Sequence, residues 1–188
     1  MNEEQFKKVI SLLSNYKPRS EITLDEIPAP QKLAKYAYAL SADVSNGLLG
    51  EDERELANGR FVILHEPGGQ ETWEGEFRCV TYMNADLETT EAEDPTLPEH
   101  GWNWLLKALE ENGCHIAAPS GTVTRAISHS FGKLSTESDG GEIEIRASWS
   151  AIISKPEDLL SHLEAWCNLL AEISYLQPIP EGVATLKR

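Results

Sequence analysis

The sequence predicts an α+β fold: an antiparallel sheet of about five strands with three helices, in the order α-β-β-β-α-β-β-α. Three observations predict it. Apolar residues recur at helical spacing in three separate stretches, they alternate with a period of two in several others, and glycine and proline clusters mark the boundaries. The 188 residues, 40% hydrophobic and 25% charged, suit one globular domain spanning 1–188.

Phe6, Val9, Ile10 and Leu13 fall at i, i+3, i+4 and i+7, which predicts a first helix over about residues 3–15. Asn2 and Gln5 have the spacing of a capping pair at its start. "EITLDEIPAP" carries two prolines and reads as an extended connector. In "YAYALSADV", Tyr36, Tyr38, Leu40 and Val44 share one side of a strand. After a polar loop at 46–58, "GRFVILHE" is apolar on both faces and reads as a central strand. "PGGQ" reads as the turn before a long strand with Trp73, Phe77, Cys79, Met83 and Leu87 on one face.

Residues 86–99 are acidic with no Lys or Arg among them, but they lack the central glycine of a calcium loop, so a solvated acidic loop is expected. Thr96 and Glu99 form a capping-box pattern opening a second helix, with Trp102, Leu105, Leu106 and Leu109 as its buried stripe and Gly113 as its stop. Two strands follow, "GTVTRAISHSF" and "EIEIRASWSAI", and the second alternates through Ile143, Ile145, Ala147, Trp149, Ala151 and Ile153. Ser154 and Glu157 are spaced to cap a third helix striped by Leu159, Leu163, Trp166, Leu170 and Ile173. Trp149 and Trp166 are thus expected in the core, and a proline-containing tail ends the chain.

A formal net charge of −15, with Lys and Arg scattered, weighs against nucleic acid or membrane as the main partner. The first residues lack the pattern of a signal peptide, and no apolar run reaches the ~18 residues of a membrane span. Cys79, Cys114 and Cys167 are isolated and odd in number, which points to a reducing compartment and a cytoplasmic location.

No catalytic residue, cofactor or metal site is expected. The chain has no P-loop, no Rossmann glycines, no nucleophile elbow and no zinc-ligand spacing. His162 and Cys167 lie five apart, off the spacing that shares a helix face, while His65, His100 and His115 read as structural histidines. The busiest polar stretch is "GTVTRAISHSFG" at 121–132. As a strand it puts Val123, Arg125, Ile127 and His129 on one face and Thr122, Thr124, Ala126 and Ser128 on the other. Arg125 and His129 would stand roughly 13 Å apart, too far for a proton relay but suited to two ends of a small acidic ligand. Arg125, His129 and Arg146 are therefore the candidate ligand-binding residues. The plainer reading makes the stretch a strand, with Arg125 snorkelling or pairing with a carboxylate.

The segments "IPAPQKLAKYAYAL", "GWNWL", "GTVTR" with a following "FG", "EIRASW" and "HLEAWC" together resemble an actinobacterial family, the domain-of-unknown-function family numbered three thousand. The resemblance runs from about residue 5 to residue 186. It implies a cytoplasmic bacterial protein and brings no activity, cofactor or site residue. The element order is also similar to the type III secretion chaperone-like fold, a group of small dimeric binding proteins. That likeness, and sheet edges that need cover, lead us to expect a homodimer. The leading reading is a non-enzymatic adaptor or chaperone-like domain with a protein partner. The alternative is a protein or enzyme that takes an anionic metabolite through Arg125, His129 and Arg146.

Overall fold

The computed structural model describes residues 2–136 and 139–178. Among these, the chain forms one antiparallel sheet of six strands, covered on one face by helices. The predicted class holds, with one strand and one short helix more than expected. The final residues of the predicted tail lie outside the described residues.

Helix α1 (Glu3–Ser14) opens with the reciprocal Asn2–Gln5 bonds that the sequence predicts, at 2.9 Å each, and buries Phe6, Val9 and Leu13. The supposed connector then contains a short strand, β1 (Ile22–Glu26). The prolines of "EITLDEIPAP" lie just beyond it, so they end the strand rather than prevent it. β2 (Tyr36–Ser45) buries Tyr38, Leu40, Ala42 and Val44. β3 (Glu55–Gln70) pairs with β2 on one side and β4 (Gly75–Leu87) on the other, as a strand apolar on both faces should.

The "PGGQ" glycines are not the hairpin tip. Gly68 (φ 91°) and Gly69 (φ 77°) lie where the β3–β4 register shifts, and the tip is a 3-10 turn at Glu71–Trp73. Left-handed φ is what glycine offers to such an irregularity. Trp73 therefore sits in the turn, not on the strand with Phe77 and Cys79.

The acidic segment after β4 is part helix, α2 (Thr89–Ala92), and leads into α3 (Leu97–Glu111). Thr96 makes no side-chain cap; its backbone N–H and hydroxyl both donate to Asp94 Oδ1, at 2.8 and 2.7 Å. Asp94, two residues earlier, thus takes the Thr96 N–H that the Glu99 carboxylate would accept in a capping box. α3 stops at Gly113, with φ 67°. β5 (Ile116–Ser128) and β6 (Gly140–Ala151) follow, and then α4 (Asp158–Ile173). The Ser154–Glu157 capping pair does not form either: Asp158 Oδ2 accepts the N–H groups of Ser154 and Lys155. All five predicted stripe residues of α4 are buried.

The strand order is β1-β2-β3-β4-β6-β5. The core lies between one sheet face and the helices. It includes Phe61, Trp149 and Trp166, with ring centroids 6.0 Å apart for Phe61–Trp149 and 5.3 Å for Phe61–Trp166. The Trp166 indole N–H donates to Thr81 Oγ1 at 2.7 Å, and that hydroxyl donates to the Arg60 carbonyl at 3.0 Å. Every polar atom of the relay is thereby matched. No helix among the described residues is long and apolar enough to cross a membrane, which leaves β-barrel insertion unaddressed.

Candidate functional site

Strand pairing decides which side chains share a face, because the side-chain period is two. Ile145 of β6 stands between Met83 of β4 and Val123 of β5, and this row faces the helices. The next row has Arg60 opposite Tyr82, Tyr82 opposite Arg146, and Arg146 opposite Thr122. It faces away from them. Arg125, opposite Ile143, belongs to the helix side, so the register separates Arg125 from Arg146 by the thickness of the sheet.

Each of the three predicted residues has its own local partner. Arg125 Nη1 donates to the Ala92 carbonyl at 2.6 Å and so holds the end of α2 onto β5. His129 Nδ1 lies 2.7 Å from Asp139 Oδ2, and that hydrogen bond is the main reason the Asp139 carboxyl lies below its ordinary range. Arg146 Nε lies 2.9 Å from Glu144 Oε1, and its guanidinium sits 5.6 Å from the Tyr82 ring centroid. The structure brings Arg146, not Arg125 or His129, to the open face.

On that face is a shallow depression of about 650 Å³, lined in part by Arg60, Val62, Val80, Tyr82, Arg146 and Ser148. Among the described residues, Val62 and Val80 are half-buried with no layer of protein above them, and Arg60 is exposed with no ion pair. One row further, Arg78 is buried beside the depression. Its Nη1 donates to the Ala118 carbonyl at 2.8 Å and to Ser150 Oγ at 3.2 Å. Its Nη2 donates to Ser120 Oγ at 3.1 Å and to Ser148 Oγ at 2.7 Å. Burial lowers its pKa. Held by neutral oxygens, this guanidinium keeps its full charge against the face. It also pins the irregular stretch of β5, where Ala118 has φ 44°.

The sequence reading missed Arg60, Arg78 and Tyr82. The signal was the alternation in "GEFRCVTYM": Phe77, Cys79 and Met83 face the core, which puts Arg78, Val80 and Tyr82 on the other side.

The three thiols are poor nucleophiles. Burial pushes each one's pKa up, that of Cys114 to about 12, and holds them protonated at neutral pH. Among the described residues no group of three or more His, Cys, Asp or Glu side chains is arranged to hold a metal ion. The open face thus offers cations, an aromatic ring, hydroxyls and an apolar floor.

The family described as "Protein of unknown function (DUF3000)" matches residues 2–184. No curated protein and no solved structure matches the chain.

Proposed function

The chain belongs to the DUF3000 family, and from that premise we propose that it is a non-enzymatic protein-docking domain whose open sheet face receives an acidic, partly apolar segment of a partner. The observation that carries this reading is the strip of Val62, Val80 and Tyr82 beside Arg60, uncovered and without an ion pair among the described residues, on a chain of net charge −15. Apolar surface flanked by charge of one sign is the composition of a docking patch. The cations supply recognition and encounter rate, and the apolar floor supplies most of the affinity. In this sense the domain is an adaptor or chaperone-like protein. Its thiol usage and family resemblance support a cytoplasmic, actinobacterial setting.

The anionic-metabolite reading rests on Arg146 and its neighbours alone. A small ligand is held by walls that enclose most of its surface, and this depression is shallow and open. A partner protein brings its own walls.

Selection of random peptides against the immobilised chain tests the proposal. The expected binders are rich in Asp or Glu near apolar residues, and their binding weakens as salt is added. It is abolished by Arg60→Glu/Arg146→Glu with the circular dichroism unchanged. Failure to select any binder, or binding indifferent to that double substitution, overturns the reading.

A further inference from the structure

The two edges of the sheet differ in a way that matters for association. β1, at one edge, is five residues long and ends in Asp25 and Glu26. Short length and charge are the usual protections of an edge strand. β5, at the other edge, pairs only with β6 among the described residues and runs in unbroken register from Ser120 to Ser128. Its irregularity and its proline, Pro119, lie before that run. Between Gly121 and Ser128 the only charged residue is Arg125, and its guanidinium is turned onto the Ala92 carbonyl. Among the described residues the edge is therefore about 26 Å of unpaired backbone, and its one charge, half-buried Arg125, is held against α2 on the helix side.

We propose that residues 121–128 of β5 pair antiparallel with the same strand of a second copy, joining two six-stranded sheets about a two-fold axis. The charge distribution selects a second copy as the occupant. Two chains of net charge −15 repel across most of their surfaces, and self-pairing through β1 would bring four more carboxylates, Asp25 and Glu26 of each copy, into one short ladder. Through β5, only Thr122, Thr124, Ala126 and Ser128 of each copy would meet on the open face. An isologous contact demands that one strand tolerate itself, and this is the edge that does. The inference stands apart from the docking reading, though a dimer built this way would carry two open faces on the same side of one continuous sheet.

Sedimentation of the parent protein through a micromolar dilution series tests it, with amide exchange followed in parallel. The expected result is twice the mass of one chain, falling on dilution, with amides of 121–128 exchanging roughly tenfold faster or more as it falls. Thr122→Lys/Thr124→Lys places cations on exposed edge positions and is expected to give the single-chain mass, whereas Asp25→Asn/Glu26→Gln on β1 leaves the mass doubled. Should the lysine variant misfold, the dilution-linked exchange of the parent decides alone. A parent monomeric throughout, or a dimer whose 121–128 amides ignore dilution, overturns the proposal. Neither outcome touches the peptide-binding test of the open face.

Discussion

His162 is a buried histidine whose state is set by one hydrogen bond. It is 1% exposed, and its Nδ1 accepts the Trp149 indole N–H at 3.1 Å. An accepting Nδ1 leaves the proton on Nε2, so the ring is neutral. Burial is the main cause that lowers its pKa from 6.5 to about 4, against a smaller opposing pull from Asp158. A histidine with a depressed folded-state pKa is protonated more readily in the unfolded chain. Its stabilising contribution is therefore complete above about pH 6.5, is lost as pH falls from there towards 4, and stays lost below. The loss amounts to about 3 kcal/mol across that window. His162→Gln retains an acceptor for Trp149 without the titration. Urea unfolding of both proteins between neutral pH and pH 4 is expected to show a steeper loss in the parent by about that amount. Parallel curves would refute the assignment.

Elements are held together here by close approach as much as by apolar area. Gly121 of β5 lies under Trp102 of α3. A Cβ added there would meet Trp102 Cζ3 at 3.0 Å and the Arg146 carbonyl closer still. Gly101 of α3 is similarly placed, with Ile143 Cδ1 at 2.9 Å and Val123 Cγ1 at 3.1 Å from such an atom. These two glycines let α3 settle onto β5 and β6. Gly121→Ala is expected to cost ~1–3 kcal/mol by overpacking. Gly140→Ala, at a position with no heavy atom within 4 Å of the new methyl, is the control and is expected to cost much less. Equal unfolding midpoints for the two variants would mean that α3 does not seat as described.

Across the whole molecule, charge is poorly compensated. Most ion pairs among the described residues are exposed, such as Glu3–Lys7 and Lys107–Glu111, and pairs of that kind contribute little. The repulsion of a −15 chain is therefore largely unopposed, and screening should relieve it. The melting temperature is expected to rise as sodium chloride is raised towards molar concentration. A fall would show that local ion pairs outweigh the repulsion.

The α+β class, the stripes of α1 and α4 and the alternation of β2 and β6 were legible in the sequence because they follow from local period and burial. Cap identity was less legible. Asp94 and Asp158 take the Thr96 and Ser154 N–H groups that the Glu99 and Glu157 carboxylates would accept in a capping box, and only the folded geometry chooses between them. The candidate site was mostly hidden. The sequence puts Arg125 and His129 on one face of a strand, but a strand sends alternate residues to opposite faces, and pairing puts Arg146 on the other one. Which residues become neighbours across strands depends on register, which long-range packing sets. Only the tertiary structure could lay Arg60, Tyr82 and Arg146 in one row from three separate strands, and leave that row without a covering layer among the described residues.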